Sequence, residues 1–346
     1  MKVAVVCPYD LGALGGVQDQ AFSLVRWLRE AGHDAWLVGP GIVGPEEAKL
    51  VGRTSVFSAN DSATPITLSP SAWRKTVMSV RDADVVHIHE PFMPVVSQAA
   101  TSVPNVAKVG TFHAAPTRLM RGLYRLGRPA FRRIAKRLTI STAVSPVAAA
   151  PLREIVHTRL VPNGIDVAAF SVGPKRARRV AFLGRDDPRK GLDVLLDAWP
   201  DVMARVSGVN LVVAGPVRPS QEGVEFLGPV SEEKKLDVLA GAAVYCAPNT
   251  RGESFGIVLL EAMASGCALV ASSIPAFVSV AGSAARLVDA GDSRGLADAL
   301  VSVLSESEYR LTLAEAGLER VKRFDKKMVL DAYVSAYKDA ISKEMG

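Results

Sequence analysis

The sequence predicts an α/β protein of two successive Rossmann-like domains, each a parallel sheet with helices on both faces. Three observations carry that prediction. Short, β-rich apolar runs alternate with helical stretches along the whole chain. The series halts at a turn near residue 162 and then restarts. The chain has 346 residues, too many for one ordinary core, which favours two domains of about 150–180 residues each.

The opening KVAVVCPY reads as a buried strand. A Gly-rich turn follows, then a helix from about Gln18 to Ala31 with apolar residues at helical spacing, ended by Gly32. DAWLVG begins the next strand, and DVVHIHE, NVAKVGTF and LTISTAVS continue the series. RRVAFLG, VNLVVAG, GVEFLG, AAVYCAP, CALVAS and ARLVD repeat it in the second half. Between the halves, Pro162, Asn163 and Gly164 form a turn signal. The expected domains are therefore 1–166 and 167–327. Ligands bind at the carboxyl ends of parallel strands, so two facing sheets would put the chemistry in a cleft between them.

Composition is 49% hydrophobic and 22% charged, which excludes a disordered or collagen-like chain. The N-terminus carries no cleavable targeting pattern. Residues 262–285 are uncharged for 24 positions, long enough to span a bilayer, but Ser, Gly and Pro punctuate them. A helix end, the strand CALVAS and a loop fit better. Cys7, Cys246 and Cys267 sit in apolar runs, with neither disulfide nor zinc spacing, and read as core thiols in a reducing cytoplasm. Residues 1–165 hold 19 Lys and Arg against 11 Asp and Glu, a net +8, whereas the rest nets −2. The basic half predicts an anionic partner.

Three segments point to chemistry. In GESFGIVLLEAMASG, residues 252–266, Glu253 precedes a helix and Glu261 lies two turns in. The amides of Ser254, Phe255 and Gly256 fall at the helix start, where Ile257 follows and an anion is stabilised. Carboxylates accept from sugar hydroxyls, so one loop and helix could hold a sugar, a ribose and a phosphate. Two solvated glutamates on a surface helix are the plainer alternative, but Gly256 and Gly266 fit it poorly. In FLGRDDPRKG, residues 182–191, Arg185, Arg189 and Lys190 lie on a turn after a strand, where cations neutralise a departing diphosphate without metal. A self-paired surface turn, through Asp186 and Asp187, is the competing reading. Gly15 and Gly16 after the first strand let backbone approach a phosphate, although no GxGxxG or Walker spacing is present. His87 and His89, alternating on a strand beside Glu90, imitate a metal site, but no third ligand has suitable spacing. Interior or cleft-lining residues at a strand end are the better reading.

With HIHEP at 87–91, TFH at 111–113 and PNGID at 162–166, these motifs resemble the retaining GT-B glycosyltransferases over nearly the full chain. Within that group the chain is most like the actinobacterial phosphatidylinositol mannosyltransferases. The resemblance implies that Arg185 and Lys190 hold the donor diphosphate and stabilise departing charge. Glu253 would contact the donor sugar, Glu261 the ribose, and Gly16 the phosphate. His113 would line the reaction centre, and Tyr9, Gln18, His113 and Arg118 would face the acceptor. It further implies GDP-mannose as donor, an inositol phospholipid as acceptor, no metal or other cofactor, and a C-terminal helix at about 328–346 packed on the first domain.

Residues 118–137 carry eight cations and no acid. Arg118, Arg121, Arg125, Arg128 and Arg132 follow helical spacing, with Arg133 beside them and Pro129 expected to break or kink the helix midway. This basic face predicts peripheral attachment to a membrane surface bearing anionic phospholipid, which the resemblance implies is the inner face of the plasma membrane. Nucleic acid is disfavoured, because only Tyr124 and Phe131 could stack on bases. Ala114 and Ala115 stand where the mannosyltransferases carry hydroxyls. They keep open a same-fold transferase using another nucleotide-sugar and a soluble or different lipid acceptor. A non-catalytic or isomerising nucleotide-sugar binder is the remaining alternative.

Overall fold

The computed structural model describes residues 1–13, 15–45, 47–59, 62–114 and 118–345. Two compact units emerge: Met1–Gly164 with Lys326–Gly346, and Ile165–Asp325.

Unit 1 begins with β1 (Lys2–Val6), α1 (Gly16–Glu30), β2 (Asp34–Gly39) and β3 (Lys49–Leu50). A hairpin of β4 (Ser55–Ala59) and β5 (Ser62–Ile66) leads to α2 (Pro70–Val80), β6 (Val85–His89), α3 (Val96–Ser102) and β7 (Ala107–Phe112). Then come α4 (Arg118–Leu126), α5 (Arg128–Ala135), β8 (Ile140–Ala143), the short α6 (Pro146–Ala149) and β9 (Arg159–Leu160). Seven strands form one sheet in the order β3-β2-β1-β6-β7-β8-β9, with parallel pairing throughout.

Unit 2 runs β10 (Arg176–Leu183), α7 (Leu192–Arg205), β11 (Asn210–Ala214), β12 (Val224–Gly228), α8 (Glu232–Gly241) and β13 (Ala242–Ala247). It continues with α9 (Ile257–Ala264), β14 (Ala268–Ser272), α10 (Pro275–Ala281), β15 (Ala285–Val288), α11 (Ser293–Ser305) and α12 (Ser307–Val321). Its six parallel strands lie in the order β12-β11-β10-β13-β14-β15. The chain then returns to unit 1 as α13 (Lys326–Met345), which packs on β7 and α1.

Strands β1, β6, β7, β13 and β14 are buried almost throughout, which is why they read as continuous apolar runs and not as alternating ones. In unit 1 the core joins Val3, Val5, Leu24, Leu28 and Val109 to Tyr333 and Tyr337 of α13. In unit 2, Trp199 anchors α7 on β10 and β11, and its indole N–H donates to the Gly223 carbonyl at 3.2 Å.

Three local expectations are revised. Helix α1 starts two residues early, because Gly15 takes the N-cap and Gly16 the first helical position. The basic segment breaks at Gly127, and Pro129 lies in the first turn of α5, where its missing N–H costs nothing. The β4–β5 hairpin and the two-residue strands β3 and β9 escape periodicity entirely. The uncharged stretch 262–285 is shared among α9, β14 and α10. Among the described residues no helix is long and apolar enough to cross a membrane.

Candidate active site

In unit 2 the candidate residues gather on loops at the carboxyl ends of β10 and β13. The loop after β10 is pressed against two neighbours. A Cβ on Gly215 would stand 1.9 Å from the Gly184 carbonyl oxygen, and one on Gly191 would stand 1.9 Å from that of Pro248. Both glycines have positive φ, 112° and 71°, so neither tolerates a side chain. The backbone N–H of Thr250 donates to the Arg189 carbonyl at 2.9 Å, joining the 184–191 loop to the 248–256 loop. Gly191→Ala combines left-handed strain with a backbone collision, and should cost unit 2 about 2–3 kcal/mol. Denaturant unfolding would read this, and unchanged stability would show that the two loops are not locked together.

That junction sets the charges. Lys190 Nζ lies 2.8 Å from Glu253 Oε2, and Asn249 Nδ2 donates to the same oxygen at 3.2 Å. The pair is partly buried, with side chains 25% and 19% exposed, so a ligand can still reach both. Arg185 is exposed, and its guanidinium forms no ion pair among the described residues. Arg189 turns inward onto Asp187 at 2.6 Å, and that bond holds the Asp187 carboxyl down at about 2. The self-paired turn is thus correct for Arg189 but not for Lys190.

Glu261 sits apart from Glu253, with its own partner. Lys235 of α8 lies 2.8 Å from Glu261 and 2.7 Å from Glu232. Burial works against the Lys235 ammonium, but the two carboxylates outweigh it and hold its pKa above the usual lysine value. Lys235 and Asn249 were not legible in sequence. Lys235 lies in an EEKK run indistinguishable from a solvated face, and Asn249 follows a proline with no motif around it. Gly256 caps α9 at φ 101°, where a Cβ would meet the Phe277 ring at 2.7 Å. Phe255 is buried, whereas Ser254 and Ile257 are half-buried.

In unit 1, Gln18 is buried and donates from Nε2 to the Asp10 carbonyl at 3.3 Å. Its Oε1 fills the space beside Gly15, 2.4 Å from where a Cβ would stand. Tyr9 bridges to Ile66 through backbone. Gln20 clamps the PNG turn, donating to the Gly164 carbonyl and accepting from its N–H, each at 3.0 Å.

His113 is buried, with Nε2 2.7 Å from His89 Nδ1. Its backbone N–H and that of Ala114 donate to Glu90 Oε1 at 2.8 and 2.7 Å. His87 reaches the Tyr337 hydroxyl at 2.6 Å and that of Thr111 at 2.7 Å. Burial pushes His87 and His113 down to about 3 and His89 well down too. These histidines are strand-end interior residues, and no group of three metal-ligating side chains occurs among the described residues. The three cysteines are buried and free, and burial pushes Cys7 up to about 12 and Cys267 to about 11.

Arg121, Arg125, Arg128, Arg132 and Arg133 are exposed on α4 and α5. Ala115 and the Arg118 side chain lie outside the described residues. Leu123 and Leu126 are exposed on α4, while Tyr124 packs edge-on and Phe131 tilted against Phe92. A counter-charge comes from outside the segment: Glu154 pairs with Arg128 at 2.7 Å, and its carbonyl accepts from Arg132 at 3.0 Å.

Comparison with known proteins follows the division into units. The family model described as Glycosyltransferase Family 4 matches residues 14–169, and that described as Glycosyl transferases group 1 matches residues 177–306. Phosphatidyl-myo-inositol mannosyltransferase of Mycolicibacterium smegmatis is 36% identical, covering 97% of this chain and 93% of its own. Its namesake from Propionibacterium freudenreichii is 34% identical over 88% and 87%. Among solved structures, Anabaena Alr3699/HepE in complex with UDP and glucose superposes with a TM-score of 0.78 at 17% identity, covering 98% of this chain and 99% of that one. Sucrose-phosphate synthase from Thermosynechococcus elongatus gives 0.71 at 19%, over 99% of both. Two parallel α/β sheets, a transferase family model in each half and curated relatives along the chain lead to one assignment: this protein is a GT-B glycosyltransferase, belonging to the family whose curated actinobacterial members are the phosphatidyl-myo-inositol mannosyltransferases.

Proposed function

We propose that the enzyme transfers mannose from GDP-mannose to phosphatidylinositol or a related membrane lipid, with retention of configuration and without a divalent metal. The observation that carries this reading is the full-length likeness to the curated mannosyltransferases. The donor loops support it. In the free enzyme Lys190 and Glu253 neutralise each other. A donor diphosphate would exchange places with Glu253 on Lys190, with Arg185 as second cation. Glu253, steadied by Asn249, would then be free to accept from sugar hydroxyls. Charge developing on the leaving diphosphate meets cations already in place, so stabilisation needs little reorganisation. Retention follows if a leaving-phosphate oxygen takes the acceptor proton on the face that the phosphate is vacating. Glu261, held by Lys235, would take the ribose, and Gly15 and Gly16 at the start of α1 would lie against the phosphate.

In unit 1, Tyr9, Gln18, His113 and Arg118 would serve the acceptor. The exposed arginines of α4 and α5, with Leu123 and Leu126 among them, suit an anionic phospholipid surface at the cytoplasmic side of the plasma membrane. Ala114 favours a second reading. Its N–H is spent on Glu90, and its side chain offers only a methyl where the family carries a hydroxyl. Another nucleotide-sugar, or a soluble or different lipid acceptor, would fit that change.

The deciding assay is transfer from radiolabelled GDP-mannose, with UDP-glucose in parallel, to phosphatidylinositol in anionic vesicles with a chelator present. Mannolipid that forms despite the chelator is the expected product. Reaction of UDP-glucose alone, or transfer only to water-soluble acceptors, would replace the named substrates with the second reading.

A further inference from the structure

His87, His89 and His113 form a buried ladder in unit 1. The His87 and His89 rings stack with centroids 4.6 Å apart and planes 9° from parallel. His113 follows, 4.9 Å from His89. His87 has both ring nitrogens occupied, by Tyr337 and Thr111. His89 does not: its Nδ1 meets His113 Nε2 at 2.7 Å, while its own Nε2 is buried with no partner among the described residues.

That orphan nitrogen decides where the protons are. A hydrogen bond between two neutral imidazoles uses one proton, so two assignments exist. If His113 Nε2 carried it, His89 would have to hold its own proton on Nε2, a buried N–H with nothing to donate to. If His89 Nδ1 carries it, the orphan is only a bare lone pair. Proteins tolerate an under-used acceptor more readily than a stranded donor. Both rings are neutral because burial disfavours their charged forms. A hydrogen bond from the Asn163 side chain works against that burial at His113 without overturning it. Tyr9 and Tyr124 near Glu90 are likewise held protonated by burial.

The main chain is held as firmly as the ring. Glu90 Oε1 accepts from the N–H groups of both His113 and Ala114, and Glu90 itself has φ 49°. A non-glycine residue in that region persists only where its surroundings enforce it.

We propose that His89 is a positioning residue: it donates Nδ1–H to His113 Nε2 and fixes His113 as the neutral Nδ1–H tautomer, so that His113 serves the transfer by placement and exchanges no proton at Nε2. This rests on the reading above that His113 lines the reaction centre. The tautomer itself does not depend on that reading.

The test joins a spectroscopic readout to two substitutions. Two-bond nitrogen–proton NMR correlations of histidine-labelled protein, which has only five histidines, distinguish the neutral tautomers directly. His113 should show Nδ1–H and a bare Nε2. His89→Leu removes the donor and should lower kcat about a hundredfold, the scale of a small misplacement, with donor KM little changed. His89→Asn places an amide N–H near the former Nδ1 and should restore most of kcat, which a purely structural role would not predict. An Nε2–H tautomer in the wild type, or a His89→Leu enzyme as fast as wild type, would overturn the proposal. If no nucleotide-sugar reacted even with the wild type, the proposed reaction would fail, and the NMR readout alone would decide the ladder.

Discussion

Lys190→Ala should lower kcat/KM for sugar transfer about a hundredfold to a thousandfold, equivalent to about 3–4 kcal/mol of lost transition-state stabilisation. The size follows from where the ammonium is held. It sits on a loop that Gly191 locks against Pro248, partly shielded from water, 2.8 Å from a carboxylate that it must release when the donor arrives. A cation fixed before the reaction begins acts mainly on charge that appears as the sugar–phosphate bond breaks. The loss should therefore fall on kcat more than on KM. Lys190→Arg keeps the charge but not the reach, and should recover only part of the rate. Steady-state kinetics over both substrates would check this. A raised KM with kcat intact would assign Lys190 to ground-state binding alone, and no change in either would remove it from the site.

Acidification should weaken unit 1 well before ordinary acid denaturation. His87, His89 and His113 are held below their unfolded value of 6.5, two of them at about 3. Below 6.5 the unfolded chain binds protons that the folded chain refuses, so stability is lost as pH falls from 6.5 toward 3. Between about pH 7.5 and about pH 5.5 the three histidines together should lose on the order of 4 kcal/mol of stability. Glu90 has the opposite sign, because burial raises its pKa above 4.5 and its uptake of a proton favours the fold. It offsets part of the loss at lower pH. Denaturant unfolding at about pH 7.5 and about pH 5.5, followed by a probe in unit 1, measures the net slope. Equal stability at the two values would mean that the ladder opens to water and its histidines titrate normally.

The strands that set the architecture were legible because they are buried on both faces. VVHIH and AAVYCA admit no amphipathic reading, and both became central strands. What stayed hidden depends on partners distant in sequence. Gly191 and Gly215 look like ordinary turn glycines until Pro248 and Gly184 are seen 1.9 Å from their missing side chains. The Lys190–Glu253 pair spans 63 positions, so each residue could be nominated from its motif but their mutual neutralisation could not. His87 and His89 show the reverse. Their alternation placed both on one face, as the stacked rings confirm, but nothing in HIHEP announces that Tyr337, 250 residues away, completes the set.

Helix α13 carries a consequence for how the molecule is made. Unit 2 is one continuous stretch of chain, whereas unit 1 closes its core with Val329, Tyr333, Tyr337 and Ala340, which leave the ribosome only after all of unit 2. The half that is synthesised first must therefore wait, with the sheet face around His87 uncovered, while the later half can already collapse. Nascent chains stalled before residue 326 would expose that unfinished surface to chaperones. Completion of the first-made core thus depends on the last twenty residues of helix, against the usual N-to-C order of domain folding.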